Sequence, residues 1–323
     1  MSHNAPPNTF TEAGKSAENS NKLIVDNKIC PLCHGEVIRP KYIVGEHKIL
    51  RCQTCTLMWL NKMPSPDDLK LVYDDGYFEN KNFLAGKDEN LFGYYDYLAE
   101  RFTRQNSYLR IINKSKNYLT NFRSNQSKFL DVGCGLGYLM DAAHDARFDV
   151  RGVEFNEAAL KILKGKYVFK AECCDFLDYK EKNFDVVAMM DVIEHLLNPF
   201  ATVSKLYEIL NRDGILIITT MDSDGLVSRI LGTKIEDFRR VKEHLFFFTR
   251  KSLRKLLEKN NFEILDIQYY GHTFKLDFLQ DRLKLISPVL AKIFGFFVSV
   301  FRANQLTIDI NPRTKMIVYA RKK

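Results

Sequence analysis

Residues 1–24 contain no apolar run of the kind that an export signal carries. They are polar and include Pro, Gly, Ser and Asn, a composition that predicts a disordered tail rather than a signal peptide. The chain has seven cysteines, and without an export signal we expect them in a reducing compartment, with the cytoplasm as the default. In such a compartment paired cysteines hold a metal more often than they form disulfides.

The sequence also lacks internal repeats, low-complexity segments beyond this tail, and any dense run of Lys and Arg that could follow a nucleic-acid backbone. Its formal net charge of +8 is moderate for 323 residues. That charge permits an anionic partner, such as a nucleotide, a phosphosugar, RNA or a membrane surface, without requiring one. With 46% hydrophobic residues, the chain can bury a full core, either of one large domain or of a main domain with a small satellite.

Four of the cysteines form two CxxC pairs separated by 18 residues. This spacing fits a four-thiolate zinc site, and four thiolates leave no open coordination position, so the zinc is predicted to be structural. The apolar residues between the pairs can form a hairpin that brings them together. We therefore predict a zinc ribbon over residues 25–62, with the metal ligands Cys30, Cys33, Cys52 and Cys55.

A helical cap is predicted over residues 63–127, including a helix near 91–122. From residue 128 onward short strands alternate with helices, which indicates a parallel sheet covered on both faces. The predicted strands lie near 128–132, 149–153, 167–171, 184–189, 214–220, 263–270 and 316–322. The predicted helices lie near 137–146, 157–165, 199–211 and 249–260.

Three glycines, Gly133, Gly135 and Gly137, follow the first of these strands and open a helix, as in nucleotide-binding loops. The dinucleotide fingerprint needs a further glycine where this chain has Tyr138. The loop also begins with Asp131, and an acid suits a cationic ligand better than a pyrophosphate. The loop therefore favours a ligand other than a dinucleotide.

Two more acids stand at strand ends. Glu154 ends the second strand, where a carboxylate can accept both hydroxyls of a ribose. Asp175 follows the third strand and could accept from an exocyclic amine, with Phe176 as an apolar wall for a purine ring. Because the carboxyl ends of parallel strands meet at one edge, these residues are predicted to share one crevice.

Five ordered segments carry a family resemblance: LDVGCGLGYLM, Glu154, CDF, FDVVAMMDVIEHLLNP and LNRDGILIITT. Over roughly residues 129–321 the chain resembles the class I S-adenosylmethionine-dependent methyltransferases. The resemblance implies an α/β fold, with a Rossmann-like, seven-stranded, mostly parallel sheet and helices on both faces. TKMIVYARKK would supply its antiparallel last strand, and the domain would span residues 128–323 after the small N-terminal zinc ribbon.

The resemblance also implies S-adenosylmethionine as the cofactor and a small-molecule acceptor. It places Asp191 and Tyr77 at the amino-acid end of the cofactor, and His195 and His244 as candidate general bases. An N-terminal CxxC pair is similar to that of zinc-bearing methyltransferases acting on sugars and related metabolites. The implied cofactor-binding set is Asp131, Gly133, Gly135, Gly137, Glu154, Phe155, Asp175, Phe176, Asp191 and Tyr77.

Other functions stay open at this point. An RNA methyltransferase could use the ribbon for docking, although the chain lacks the Asn/Asp-Pro-Pro-aromatic element that grips an exocyclic amine. A non-catalytic zinc-ribbon adaptor and a dehydrogenase are further alternatives. The intact cofactor motifs argue against the adaptor, and the missing glycine argues against the dehydrogenase.

A helical insertion is predicted over residues 272–304, with Ser287-Pro288 as a helix start. Residues 285–302 are apolar around most of the helix circumference. Such a segment could form a lid over the substrate, lie peripherally on the inner face of a membrane, or make a dimer contact.

Overall fold

The computed structural model describes residues 27–73, 101–166, 169–276, 280, 283, 287–301 and 306–323. The predicted tail and the first part of the predicted helix 91–122 lie outside these residues. The described strands form two sheets, of seven and four strands. The larger sheet positions the candidate site, and the smaller one contains the four paired cysteines.

The seven-stranded sheet has the order β10-β11-β8-β7-β4-β5-β6. Its central strands β4 to β8 pair in parallel, whereas β11 runs antiparallel to both β8 and β10. This confirms the predicted sheet and its antiparallel last strand. The strands are β4 Lys128–Val132, β5 Asp149–Glu154, β6 Lys170–Cys173, β7 Phe184–Met190, β8 Leu210–Met221, β10 Phe262–Lys275 and β11 Thr307–Lys322.

Helices pack around this sheet, and several begin at the caps that their sequences indicate. Helix α5 starts at Pro199 after Asn198, whose side chain accepts from the Ala201 N–H, and Thr249 forms a capping box with Ser252. The helices are α1 Pro66–Val72, α2 Arg101–Tyr118, α3 Tyr138–Asp145, α4 Glu157–Lys166, α5 Pro199–Ile209, α6 Leu226–Leu231, α7 Glu236–Arg239, α8 Arg250–Lys259 and α9 Pro288–Val300.

Strands β10 and β11 extend beyond the other strands of the sheet. His272–Lys275 pairs with Thr307–Ile310 after a register shift at Gly271, forming a two-stranded arm. The start of the predicted helical insertion is therefore strand. An antiparallel pair can continue in this way because each strand satisfies the backbone groups of the other.

The four-stranded sheet has the order β1-β2-β3-β9, with β1 Ile38–Val44, β2 His47–Cys52, β3 Met58–Leu60 and β9 Phe246–Phe247. Strands β1 and β2 form the hairpin that the sequence predicts between the cysteine pairs. Strand β9 comes from the larger domain and pairs antiparallel with β3, Met58 with Phe247 and Trp59 with Phe246. The ribbon is thus completed by a segment almost two hundred residues away in sequence.

The ribbon shares its core with one face of the large sheet. Trp59 is fully buried in a cluster that also contains Val187 of β7 and Leu216 of β8. Burying a side chain of this size contributes about 2–3 kcal/mol. The ribbon is therefore packed on the domain rather than attached through a linker.

Candidate functional site

The glycine loop leaves β4 with three residues in the left-handed region, at φ +71° for Gly133, +51° for Gly135 and +81° for Gly137. A Cβ atom on Gly133 would lie 2.5 Å from Cγ2 of Val192, so only glycine fits at that position. Gly137 then occupies the N-cap position of α3. At these three glycines the loop therefore places backbone without a Cβ atom at the carboxyl edge of the sheet.

Glu154 ties this loop to the end of β5. One carboxylate oxygen accepts from the Gly135 N–H at 2.7 Å, and the other accepts from the Asn156 N–H at 2.8 Å. The side chain is 9% exposed, and this burial raises the pKa of the carboxyl group. Each oxygen keeps a second lone pair for a further donor, such as a ligand hydroxyl.

Asp131, on the same edge, is 3% exposed. Burial, with a smaller contribution from the charge of Glu154, raises its pKa to about 8. Asp131 is therefore protonated across most of the acid range in the folded protein, whereas it ionises near pH 4 in the unfolded chain.

The raised pKa of Asp131 predicts a pH-dependent effect of Asp131→Asn on stability. The favourable contribution of the protonated acid is present below its unfolded pKa and is lost as the pH rises through about 8. We expect Asp131→Asn to raise the free energy of unfolding at pH 9 by at least about 2 kcal/mol, with little change at pH 4. Urea unfolding at both pH values measures this, with the exposed Asp178→Asn as control. Equal effects at the two pH values would contradict it.

The residues predicted to hold an adenine differ in exposure. Asp175 accepts from the Leu177 N–H at 2.9 Å and caps a short turn. The ring of Phe176 is 6% exposed and stacks on Tyr179 in the core, whereas Phe155, next to Glu154, is 46% exposed. Phe155 is therefore the more accessible of the two rings for a planar ligand.

Asp191 follows β7 in the left-handed region, at φ +54°. Its carboxylate pairs with the Lys315 ammonium at 2.9 Å and accepts from the Thr219 hydroxyl at 3.2 Å. No sequence motif pointed to Lys315, which reaches Asp191 only because β11 lies beside β8. The ion pair fixes an acid at the centre of the edge.

The two predicted bases lie together. The rings of His195 and His244 meet edge to face, with centroids 4.7 Å apart. Burial is the largest cause that lowers the pKa of His195 to about 4 and the pKa of His244 well below its usual value. Both imidazoles are therefore neutral at physiological pH and carry lone pairs.

Tyr73, the last residue of the first described segment, contacts two residues at the carboxyl edge of the sheet, Asn156 and His195. Its backbone carbonyl accepts from the Asn156 side chain at 2.8 Å, and its hydroxyl lies 2.8 Å from Nδ1 of His195. Sequence reasoning did not assign Tyr73 a role; it selected Tyr77 from the same segment, and Tyr77 lies outside the described residues.

The four paired cysteines converge as predicted. Cys30 and Cys55 have sulfurs 3.4 Å apart, those of Cys33 and Cys52 are 3.6 Å apart, and all four lie within 4.8 Å of one another. Sulfurs around a tetrahedral zinc are about 3.8 Å apart at a bond length of about 2.3 Å. A hydrogen bond from Cys55 lowers the pKa of Cys30 to about 5. The donor set and its spacing fit zinc.

Backbone hydrogen bonds connect this ribbon to the histidines. The Leu60 N–H of β3 donates to the Leu245 carbonyl at 3.0 Å, and the Leu245 N–H donates to the Glu194 carbonyl at 2.8 Å. His195 and His244 are the immediate neighbours of Glu194 and Leu245. The ribbon sheet therefore helps to set the separation of the two rings.

The sheet order and the glycine loop define a nucleotide-type α/β protein. The family model described as "Methyltransferase domain" matches residues 74–267, more than half of the 323 residues, and the chain belongs to this family. The resemblance to class I S-adenosylmethionine-dependent methyltransferases is thereby confirmed. The ribbon cysteines precede the matched segment.

Individual relatives are more distant. The chain is 29% identical over 103 residues to a ubiquinone biosynthesis O-methyltransferase of Idiomarina loihiensis, and 29% identical over 106 residues to that of Thiobacillus denitrificans. These matches cover 29% and 30% of this chain and 42% and 46% of the relatives, so the chain spans less than half of their length. Magnesium protoporphyrin IX methyltransferase of Synechocystis, solved with bound SAH, has a TM-score of 0.49 and 15% identity, over 79% of this chain and all of that one.

Proposed function

We propose that this protein transfers a methyl group from S-adenosylmethionine to a small-molecule acceptor. The observation that carries the proposal is the arrangement of Glu154 and the glycine loop at the carboxyl edge of the sheet. The glycine backbone lies beside the buried Glu154 carboxylate. Its two oxygens accept from the Gly135 N–H of the loop at 2.7 Å and from the Asn156 N–H after β5 at 2.8 Å. Membership in the methyltransferase family supports this use of the edge.

Each part of the cofactor has a candidate partner. Glu154 would accept the two ribose hydroxyls, while Asp175 and Phe176, with Phe155, would bind the adenine. Gly133, Gly135 and Gly137 would let the backbone approach the methionine half, and Asp131 and Asp191 would face its cationic groups. When bound, S-adenosylmethionine supplies a methyl carbon already activated by a sulfonium, so the protein mainly orients the acceptor.

The ribbon would hold a structural zinc ion through Cys30, Cys33, Cys52 and Cys55. Four thiolates saturate a tetrahedral zinc, so this ion would take no part in methyl transfer. Its contribution would be to fold the ribbon and, through β3 and β9, to hold the segment that carries His244.

The acceptor class is proposed as a hydroxylated metabolite, such as a sugar, a glycan or a lipid-linked compound. Two observations support an oxygen acceptor: the relatives named above are O-methyltransferases, and two neutral imidazoles lie beside the cofactor edge. A neutral imidazole can accept a hydrogen bond from an acceptor hydroxyl and orient its oxygen toward the methyl carbon.

Alanine substitution of the histidines tests this proposal. We expect His195→Ala and His244→Ala each to lower turnover by about 100-fold, the usual range for a lost acid–base or positioning group. Their affinity for S-adenosylmethionine should change little. Formation of S-adenosylhomocysteine is measured with a panel of phenols, sugars and lipid-linked glycans, and His144→Ala on α3 is the control. If both variants turn over as fast as the unchanged protein, neither histidine takes part in the reaction.

A membrane surface is proposed as a further partner, through helix α9. No helix among the described residues is long and apolar enough to cross a bilayer. However, one face of α9 and its C-cap is 52–74% exposed and consists of Val289, Leu290, Ile293, Phe296, Phe297, Val300 and Phe301. The opposite face, with Ala291 and Val298, is buried. An exposed apolar stripe of this kind suits insertion between lipid headgroups.

Charge favours an anionic membrane as the occupant of this stripe. Lys292 lies exposed on α9, Arg282, Lys284 and Arg302 flank the helix in sequence, and the chain carries a net charge of +8. Each basic residue near an anionic surface contributes about 1 kcal/mol. A membrane contact would also bring the enzyme to a lipid-linked acceptor.

Vesicle co-sedimentation tests the membrane contact. The full chain should pellet with vesicles containing phosphatidylglycerol and less with pure phosphatidylcholine. Phe296→Ser combined with Phe297→Ser should abolish pelleting, whereas Leu71→Ser, at a 76% exposed position on α1, should not. No pelleting of the unchanged protein, or a dimer that only the α9 variant dissociates, would overturn this contact.

A further inference from the structure

A second group of metal-ligating side chains lies apart from the ribbon. Glu194, His195 and His244 each bring one ligand atom to a common point, with these atoms within 4.8 Å of one another. His195 and Glu194 come from the turn after β7, and His244 comes from the segment before β9. We call this group the Glu-His-His cluster.

The side chain of Glu194 has no hydrogen-bond partner among the described residues. It is 2% exposed, and both of its carboxylate oxygens are buried without a donor. Leaving a buried polar group unsatisfied costs about 1–3 kcal/mol, and more for a charged one. A carboxylate kept in such a place, aimed at two imidazoles, points to a cationic ligand that supplies the missing contacts.

Both imidazoles are held by a second group, as metal-ligating histidines usually are. Nδ1 of His195 lies 2.8 Å from the Tyr73 hydroxyl and 4.0 Å from a carboxylate oxygen of Glu243. The ring of His244 donates to the backbone carbonyl of Asp237. Glu243 is itself fully buried and paired with Arg240. These contacts fix the ring orientations and leave one nitrogen of His244 for a ligand.

We propose that Glu194, His195 and His244 bind one divalent transition-metal ion, such as Zn²⁺ or Mn²⁺, and that this ion holds the acceptor hydroxyl. Two imidazoles and a carboxylate are the donor set of open sites for these metals, in contrast to the closed four-thiolate ribbon. Ligand atoms bound at about 2.1 Å lie about 3.4 Å apart in tetrahedral geometry. The cluster therefore needs to contract by at most about 1.4 Å.

The second part of this proposal rests on the proposed methyl transfer. A coordinated hydroxyl has a lowered pKa and releases its proton to solvent water. Its oxygen then forms the new bond to the methyl carbon while the carbon–sulfur bond breaks. The sulfur keeps the electron pair, and neutral S-adenosylhomocysteine leaves. Three protein ligands leave a coordination position for that oxygen.

Metal counting on the full chain tests the binding site. Protein with a zinc-filled ribbon is titrated with Mn²⁺, and the free ion is followed by electron paramagnetic resonance. We expect one further ion per chain, and a loss of affinity of about 100-fold in Glu194→Gln and in His244→Asn. Glu208→Gln, at an exposed position on α5, should bind like the unchanged protein. No bound Mn²⁺, or unchanged binding in both cluster variants, would overturn the site.

Two further measurements separate this inference from the proposed function. Circular dichroism of each variant checks that the fold is retained, and titration with S-adenosylmethionine is run on the same samples. Cofactor binding without any Mn²⁺ site would overturn the cluster alone, whereas Mn²⁺ binding without cofactor affinity would overturn the proposed function alone. If turnover does not change when Mn²⁺ fills the Glu-His-His cluster, the ion has no role in the reaction.

Discussion

Glu154→Gln is expected to weaken binding of S-adenosylmethionine by about 100-fold, because one residue would carry both ribose contacts. The carboxylate already accepts from Gly135 and Asn156, one amide on each oxygen. Glutamine replaces one of these oxygens with an NH₂ group. This group cannot accept a hydrogen bond, so the backbone N–H and the ribose hydroxyl on that side both lose their acceptor. Two charge-assisted hydrogen bonds at about 1.5 kcal/mol or more each give the stated loss.

Isothermal titration calorimetry measures this effect directly. Glu157→Gln, three residues along at an exposed position, makes the same chemical change without touching the loop and should bind normally. The stability of both variants is compared by thermal unfolding, since Glu154→Gln also disturbs the loop. An unchanged dissociation constant in a folded Glu154→Gln protein would remove this residue from the cofactor site.

Cys30→Ser is expected to lower the melting temperature by about 6 °C or more and to reduce turnover together with it. A structural zinc contributes much of the folding free energy of a small ribbon, and removal of one thiolate is expected to cost about 4 kcal/mol or more. The ribbon is not isolated, because β3 pairs with β9 and Leu245 bonds to Glu194. Loosening it should therefore release His244 from His195.

Cys173→Ser is the matched control, since Cys173 is an exposed cysteine that lies outside the four paired cysteines. Metal content is measured by mass spectrometry in both variants, and a chelator is applied to the unchanged protein. Loss of zinc with turnover and melting temperature intact would show that the ribbon does not support the site. A Cys173→Ser variant as damaged as Cys30→Ser would assign the effect to general thiol loss.

Much of the large sheet could be predicted because its determinants are local. Apolar runs bounded by turn residues identified the strands β4 and β7, and the positive-φ positions of the loop fell on glycines. The cysteine spacing likewise predicted the hairpin of the ribbon. These features depend on a few neighbouring residues, so a single sequence is enough to show them.

Contacts between distant segments could not be predicted. The two residues of β9 lie inside an apolar run that gives no sign of pairing with β3, and Tyr73 is 122 residues from His195. Lys315 is one of several basic residues near the end of the chain, and only the sheet order brings it to Asp191. The alternating pattern of residues 306–310, LTIDI, was a usable signal for the β10–β11 arm. It was missed because the predicted last strand began only at residue 316, and the predicted helical insertion covered the partner residues 272–275.

The central claim is that the carboxyl edge of the parallel sheet binds an adenosyl sulfonium. Calorimetric titration of the zinc-loaded full chain with S-adenosylmethionine, S-adenosylhomocysteine and NAD tests it most directly. The account predicts one site for each of the first two ligands and no measurable affinity for NAD. Binding of NAD in place of S-adenosylmethionine, or no affinity for S-adenosylmethionine at all, would contradict it.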